Sequence, residues 1–294
     1  MKSFLHLRKL PLLLAVILTM GSSLPALAYS PASESTTELN QSDLLLARLR
    51  FRRRGRYRVR GRRRPGARRG GCLAEDTKVT SLLPPDPEAQ GQIAEDEEIP
   101  LTAEPITTVF FHVPSKSQDV NNPVMKASLL LKEIVAVDEK GKRQSKEIFF
   151  GYFELPEEPG IVGLKVPETE ARAKLEPGKN YVWQVMVFCN PADTDLARNP
   201  HFSGLIKLDN SPEVADIKQQ PLSQQAASFA EEGVWYSVLN SLAKLLDANP
   251  NSLAKADWQS ILQEVEDGAL AKPAVGIANQ PFVGFGKMIS EEDL

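Results

Sequence analysis

The chain has 294 residues, of which 42% are hydrophobic and 25% are charged. This ordinary globular composition supplies enough apolar material for one sizeable core or two small ones, so it excludes a chain that is disordered throughout. The formal net charge of −3 conceals an uneven distribution, because thirteen arginines and no acid lie between Arg48 and Arg69. With those thirteen charges set aside the rest of the chain carries −16, and the basic segment points to an anionic partner.

Residues 1–28 have the three parts of a secretory signal peptide. Basic residues precede an apolar stretch from Leu10 to Met20, and Ala26-Leu27-Ala28 has the small-x-small pattern of a cleavage site. We expect cleavage after Ala28 and an exported mature chain, either periplasmic or extracellular. The alternative is an uncleaved membrane anchor, although the apolar stretch is shorter than the ~20 residues that span a bilayer.

Residues 29–71 comprise a spacer and an arginine- and glycine-rich arm. Tyr29 to Gln41 is rich in Ser, Thr, Pro and Glu without periodicity, which is typical of a disordered spacer. Glycines recur beyond Phe51, and because each one costs a helix ~1 kcal/mol relative to alanine, we expect an extended, flexible polycation. It either binds an anionic partner or is a solvated linker that only spaces the sandwich from the signal peptide. The candidate residues for binding an anionic partner are Arg48, Arg50, Arg52, Arg53, Arg54, Arg56, Arg58, Arg60, Arg62, Arg63, Arg64, Arg68 and Arg69.

Residues 72–210 have the pattern of short strands separated by turns. The clearest strand follows the turn at Pro177-Gly178, and its inward face alternates with period two through Tyr181, Trp183, Val185, Val187 and Cys189. Its other face carries Val182, Met186 and Phe188, so we expect this strand to be central and covered on both sides. Seven such strands predict a mainly β fold, an antiparallel immunoglobulin- or fibronectin-III-like sandwich.

Residues 211–271 have helical periodicity, and residues 272–294 do not. Apolar residues recur at helical spacing in Ser223 to Glu231, Trp235 to Ala248 and Leu253 to Glu266, which predicts a C-terminal helical segment packed on the sandwich. We expect it to cover the second face of the central strand. The tail from Lys272 reads as a loop, and its last six residues coincide with the end of a common epitope tag.

Residue types that carry catalysis or bind metals are sparse. The mature chain has two histidines, His112 and His201, which we interpret as strand-end residues rather than ligands. It contains no nucleophile elbow, phosphate-binding loop, Cys-x-x-Cys pair or helical zinc motif. The sequence therefore predicts no catalytic residue, no metal site and no cofactor.

Two cysteines, Cys72 and Cys189, are present in the mature chain. In an exported protein, pairing is the usual fate of two cysteines, so we predict one disulfide between them. The alternative is two free thiols.

Short motifs spread along the chain carry two resemblances. Leu175-x-Pro177-Gly178-x-x-Tyr181-x-Trp183 resembles the tyrosine corner of immunoglobulin-like and fibronectin-III sandwiches. Other motifs, in chain order after the signal peptide, are Gly70-Gly71-Cys72, Leu101-Thr102, His112-Val113-Pro114, Pro159-Gly160-Ile161, Cys189-Asn190 and Gly233-Val234-Trp235-Tyr236. In this order they resemble the secreted cyanobacterial domain-of-unknown-function family DUF 928, over Cys72 to Leu270. That resemblance implies a secreted protein without an established activity. The chain departs from the resemblance at Tyr236-Ser237, where Tyr-Asp is expected.

Two classes of function stay open at this point. The first is a non-catalytic envelope protein that binds an anionic envelope polymer, a membrane surface or another protein through the arginine arm and the sandwich. Export argues against nucleic acid as the partner, and Leu44, Leu45, Leu46, Leu49 and Phe51 favour a membrane surface. The second class is an envelope glycan hydrolase with dispersed carboxylates, which requires two carboxyl groups ~5–10 Å apart.

Overall fold

The computed structural model describes residues 49–52, 79–84, 99–115, 125–138, 143–188, 199–250, 253–267 and 276–293, all within one compact unit, Leu46–Leu294. The strands in these residues are β1 (Thr80–Ser81), β2 (Leu101–Thr102), β3 (Thr108–Val113), β4 (Lys126–Val137), β5 (Arg143–Glu154), β6 (Gly160–Lys165), β7 (Asn180–Phe188), β8 (His201–Leu208), β9 (Phe282–Phe285) and β10 (Lys287–Ile289). The α-helices are α1 (Pro212–Ile217), α2 (Leu222–Glu231), α3 (Trp235–Ala248) and α4 (Ala254–Asp267). The prediction of a mainly β chain whose helices follow the first eight strands is therefore confirmed.

The strands form two sheets of mixed direction. One has the order β1-β3-β6-β9, and the other has the order β10-β5-β4-β7-β8-β2. Most neighbours are antiparallel, but β2 runs parallel to β8 and β9 runs parallel to β6. The predicted purely antiparallel sandwich is wrong in this respect. Both parallel pairs join strands far apart in the chain, where no hairpin imposes an antiparallel direction.

The two sheets pack face to face through large side chains. Phe111 of β3 lies against Phe202 of β8 with ring centroids 5.2 Å apart, and Trp183 of β7 contacts the same ring at 6.0 Å. The predicted inward face of β7 is buried, and β7 lies between β4 and β8, as expected of a central strand. Gly204 permits this packing, because a Cβ there would lie 2.4 Å from the Trp183 ring.

The turn before β7 has the geometry of a tyrosine corner. The Tyr181 hydroxyl accepts a hydrogen bond of 2.9 Å from the backbone N–H of Glu176. Gly178 in the same turn has φ +81°, a conformation in which glycine avoids the strain that a Cβ brings. The turn and strand predicted from this motif are thus both present.

The helices pack on the second face of the four-stranded sheet, and α3 also contacts β7 and β8 of the six-stranded sheet through Tyr236. β3 is buried along its whole length, because its second face packs on helices: Phe110 contacts Trp258 of α4, and Thr108 Oγ1 donates to Asn240 Oδ1 of α3. The prediction that the helices cover the second face of β7 is wrong. That face is half-buried at Val182, Met186 and Phe188 and exposed at Gln184.

The C-terminal tail belongs to both sheets, so the predicted loop is also wrong. β9 pairs with β6 and β10 pairs with β5, and the chain crosses between the sheets at Gly286. The Gly286 N–H donates to the Gly163 carbonyl at 2.9 Å. Phe282 packs on Trp258 with ring centroids 5.7 Å apart, which ties the tail to the helical layer.

Candidate functional site

The beginning of the basic segment is docked on the helical layer. In Leu49-Arg50-Phe51-Arg52, the two apolar side chains are buried and the two arginines are exposed. This alternation has period two, so one side of the segment faces the protein and the other faces solvent. Four residues on three helices receive the segment, and we call them the docking site: Ala230, Trp235, Asp257 and Glu264.

Backbone groups of the segment make hydrogen bonds with the docking site. The Arg52 N–H donates to the Ala230 carbonyl at the end of α2 at 2.8 Å. The Phe51 N–H lies 3.2 and 3.3 Å from the two carboxylate oxygens of Glu264 on α4. Burial raises the pKa of Asp257, and a hydrogen bond from the Leu49 backbone opposes that rise. Asp257 and Glu264 are seven residues apart and therefore share one helix face.

Trp235 joins the two ends of the chain stretch that carries most of the arginines. The Phe51 ring meets Trp235 edge to face with centroids 4.9 Å apart. The Trp235 Nε1–H donates to the Leu82 carbonyl, just beyond β1, at 3.1 Å. Residues 53–78 lie outside the described residues, and the described residues on either side of this stretch contact the same tryptophan. We call this stretch the arginine loop, since its two ends are held together.

The structure places the predicted binding residues only in part. Arg50 and Arg52 are exposed beside the docking site, and the other predicted arginines lie outside the described residues. Leu49 and Phe51, which favoured a membrane surface in the sequence, are buried against helices and are not available for insertion into lipid.

Replacement of Phe51 by Ala should destabilise the protein by about 3 kcal/mol, because it removes a buried ring and its contact with Trp235. Denaturant unfolding of the mature chain measures this change. The matched control is Arg50→Ala, an exposed neighbour whose effect should stay within about 0.5 kcal/mol. Equal stability of the two variants would contradict the docked position of Phe51.

A second polar cluster connects β2 to α3 around Glu104. One Glu104 carboxylate oxygen accepts hydrogen bonds from Thr102 Oγ1 at 3.0 Å and from Ser237 Oγ at 2.5 Å. The other carboxylate oxygen lies 3.4 Å from Asn240 Nδ2. Ser237 Oγ in turn accepts the Ala103 N–H at 2.7 Å. No short motif marks this cluster, since residues 102–104 and residues 237–240 are more than 130 positions apart in the chain.

A serine beside a carboxylate is the arrangement of a base-activated nucleophile. Ser237 has no exposed surface, so a substrate has no access to its hydroxyl in this conformation. The cluster instead fixes α3 to the segment between β2 and β3. An aspartate at position 237 would place a second negative charge beside Glu104.

Two further carboxylates meet at the surface around one lysine. Lys179 Nζ lies 3.1 Å from both Glu133 and Glu176. Hydrogen bonds to Glu133 and then Glu176 raise the pKa of Lys179. The ammonium group of Lys179 neutralises part of the charge of both carboxylates, so the two glutamates and the lysine form a surface ion-pair cluster.

The two histidines occupy strand ends, as predicted. His112 is the penultimate residue of β3, and His201 is the first residue of β8. Burial lowers the pKa of His112, and a side-chain hydrogen bond with Gln280 opposes that shift. Within the described part of the chain, no group of three or more His, Cys, Asp or Glu residues is arranged to hold a metal ion.

The lowered pKa of His112 predicts a loss of stability in mild acid. The unfolded chain, with an ordinary histidine pKa of 6.5, binds a proton more readily than the folded chain. Stabilisation by neutral His112 is therefore complete above that value and is lost as the pH falls below it. Melting temperatures from about pH 7 to about pH 5 should decline less in His112→Gln than in the wild type. Identical slopes would contradict the burial of a neutral imidazole.

Cys72 and Cys189 lie outside the described residues, so their disulfide stays a prediction. Cys189 directly follows the last residue of β7. In exported protein denatured without reductant, thiol titration should detect no free cysteine, and reduction should release two. Two thiols before reduction would exclude the bridge.

These features define a class: a β-rich protein of two mixed sheets with helices that pack on the four-stranded sheet and also contact the six-stranded one. In the described residues, no helix has the length and apolar character needed to cross a membrane. Residues 64–275 match the model of the family Domain of Unknown Function (DUF928). Because the match covers most of the chain, the protein belongs to this family, and the predicted family is confirmed. Comparison with curated proteins gives no match.

Proposed function

We propose that this is a non-catalytic exported protein that binds an anionic envelope polymer through its arginine loop. The observation that carries the proposal is the junction at Trp235, which contacts Phe51 before the loop and Leu82 after it. The ten arginines from Arg53 to Arg69 therefore lie in sequence between two described residues that contact the same tryptophan. Arg50 and Arg52, both exposed, lie next to them.

A high local density of positive charge favours binding to a polyanion. A polymer that pairs with several guanidinium groups releases its own condensed counterions, and this release drives binding. Guanidinium groups also form paired hydrogen bonds with carboxylate, phosphate or sulfate oxygens. The remainder of the chain is acidic, so it contributes long-range repulsion and leaves the loop as the attractive region.

A polymer is favoured over a lipid surface by the positions of the apolar residues. Stable attachment to a membrane generally needs an apolar anchor in addition to a basic cluster. Of the five apolar residues that favour a membrane, Leu49 and Phe51 are buried in the docking site, and Leu44, Leu45 and Leu46 lie outside the described residues.

Export and sandwich type belong to the same proposal. Residues 1–28 support export, and N-terminal sequencing of protein from the envelope should give a mature chain that begins at Tyr29.

The hydrogen bond between Tyr181 and Glu176 supports an immunoglobulin- or fibronectin-III-like arrangement of the strands around β7.

Binding of the mature chain to four materials tests the proposed ligand class. These are an acidic polysaccharide, a neutral polysaccharide of similar length, vesicles rich in anionic lipid and vesicles of neutral lipid. We expect strong binding to the acidic polysaccharide, weaker binding to the anionic vesicles and none to the neutral materials. Equal binding to both polysaccharides would overturn the proposal, and preference for vesicles would assign the loop to a membrane.

A further inference from the structure

The outer face of the six-stranded sheet, on the side away from the core, carries an aromatic cluster. The Phe150 and Tyr152 rings of β5 meet edge to face with centroids 4.9 Å apart, and the Phe188 ring of β7 lies 6.1 Å from that of Tyr152. The rings meet across β4 because Ser128, the residue of β4 opposite Tyr152, has a small side chain. Phe150 is 45% exposed, and the other two rings are half-buried. A contiguous apolar set of this kind marks a binding surface, whereas single exposed apolar residues do not.

Polar side chains adjoin the rings in the same row of the sheet. Phe150 is opposite Leu130 of β4, which is opposite Gln184 of β7, and Gln184 is opposite Ser203 of β8. The Gln184 amide is exposed, and the amide and the Ser203 hydroxyl together offer hydrogen-bond donors and acceptors. Rings beside amide and hydroxyl groups are the chemistry that binds a sugar. The C–H groups of a sugar ring pack on the negative face of an aromatic ring, and the sugar hydroxyls bond to the polar side chains.

The same face carries lysines, although the chain outside the basic segment is acidic. The outward positions of the described strands β4, β7 and β8 include no acid and three lysines, Lys126, Lys132 and Lys207. Glu154 and Glu147 of β5 stand opposite Lys126 and Lys132, and Lys126 also donates to the backbone carbonyl of Asp293. Lys207 is instead opposite the neutral Asn180. This local positive charge at the β8 side favours an acidic sugar over a neutral one.

The size of the face sets the length of the ligand. Phe150 lies three strands from Ser203, which is about 14 Å across the sheet, and Lys207 is a further ~13 Å along β8. One sugar unit is too small to contact both the rings and Lys207. A ligand that uses the whole face is therefore a stretch of several units within a polymer.

We infer that the outer face of the six-stranded sheet binds an acidic polysaccharide, with one sugar unit against Phe150 and Tyr152, hydroxyls on Gln184, and an acidic group on Lys207. The inference rests on the proposed function for the acidic polymer, and it adds a surface that recognises the sugar ring. Guanidinium groups bind polyanions through charge and do not require a sugar. The two surfaces can therefore be distinguished by the ligand that each one accepts.

Binding of two oligomers of equal charge to the mature full-length chain tests the inference. One is hexagalacturonate, and the other is hexaglutamate with both termini blocked, so that each carries six carboxylates and only the first has sugar rings. Phe150→Ala/Tyr152→Ala should lower the affinity for hexagalacturonate about tenfold, as truncation of aromatic residues in an interface commonly does, and should leave the affinity for hexaglutamate unchanged. Leu253→Ala is the matched control, because Leu253 is an apolar residue 81% exposed outside this face.

Two further variants separate the contributions of the rings and of charge. Phe150→Leu/Tyr152→Leu retains apolar side chains on the sheet and should show the same loss as the alanine pair, because it lacks aromatic rings. Lys207→Gln should weaken binding of hexagalacturonate at low salt, and this loss should disappear at high salt, where the charge is screened. Lys255→Gln, an exposed lysine of α4, should have no effect.

Three results would overturn the inference. Unchanged hexagalacturonate binding in the alanine and leucine pairs would exclude the rings as a contact. Equal losses for the two oligomers would show that the face does not recognise sugar. A change of oligomeric state in sedimentation, without a change in sugar binding, would assign the face to contact between copies of the chain.

The variant in which the ten arginines from Arg53 to Arg69 are glutamine separates this inference from the proposed function. If the arginine loop binds polyanions, this variant should lose hexaglutamate binding and retain weak hexagalacturonate binding that the alanine pair removes. Retention of both oligomers would contradict the role of the arginine loop and leave the outer face as the binding surface. Loss of both would contradict the outer face and leave the loop as the binding surface.

Discussion

Replacement of Tyr236 by Phe is expected to lower the free energy of unfolding by about 2–5 kcal/mol, although it removes a single oxygen atom. The Tyr236 hydroxyl accepts the Nε1–H of Trp183 at 2.8 Å and donates to the Leu205 carbonyl at 2.8 Å. Without it, two buried polar groups lose their partner where water does not reach them. Burial raises the pKa of Tyr236 far above its ordinary value, so the hydroxyl remains a donor at every pH of interest.

Denaturant unfolding of the mature chain measures this effect, with Tyr152→Phe as the matched control. Tyr152 is half-buried on the outer face of the six-stranded sheet, so loss of its hydroxyl should change stability by less than about 0.5 kcal/mol. Similar values for the two variants would show that the Trp183–Tyr236–Leu205 chain of hydrogen bonds does not join α3 to the sheet.

Replacement of the ten arginines from Arg53 to Arg69 by glutamine should weaken binding to an acidic polysaccharide by about 10³-fold or more. The electrostatic contribution supplies nearly all of the affinity in binding of this kind. The set of substitutions begins at Arg53 because Leu49 to Arg52 is docked on the helices. Deletion of the whole basic segment would also remove the buried side chains of Leu49 and Phe51 and would lower stability. The melting temperature should therefore stay at the wild-type value.

Replacement of the same arginines by lysine separates charge from geometry. Lysine retains the positive charge and loses the planar fork, so most of the affinity should remain. Binding by the glutamine variant at wild-type strength would place the ligand on another surface. Equal losses in the lysine and glutamine variants would indicate recognition by the guanidinium fork rather than by charge.

Strand faces could be predicted because alternation is a local signal. Tyr181, Trp183, Val185 and Val187 are all buried, as their spacing indicates. The layer order could not be predicted in the same way. Both β3 and the second face of β7 are rich in apolar residues, and only the three-dimensional packing shows that α4 covers Phe110 and leaves Met186 half-buried.

The tail was misassigned because its strands are short and their partners are distant in the chain. Phe282-Val-Gly-Phe285 has too few residues to show a period, and it becomes a strand by pairing with β6. Such tertiary pairing overrides weak local propensity.

The sequence predicted which residue type the candidate site contains, but it did not predict which parts of the fold the basic segment contacts. Thirteen arginines without an acid are evident in the sequence, whereas the junction at Trp235 joins Phe51 and Leu82 to a residue more than 150 positions away. The same holds for Glu104 and Ser237, whose contact spans 133 positions. Neither contact has a local pattern, so both required the folded structure.

The salt dependence of binding tests the central claim most directly. The mature wild-type chain is titrated with an acidic polysaccharide at several salt concentrations, and the logarithm of Kd is plotted against the logarithm of salt concentration. If six or more loop arginines engage the polymer, affinity should fall by about 10³-fold or more between about 50 and 200 mM salt. An affinity that does not change over this range would contradict binding through the arginine loop.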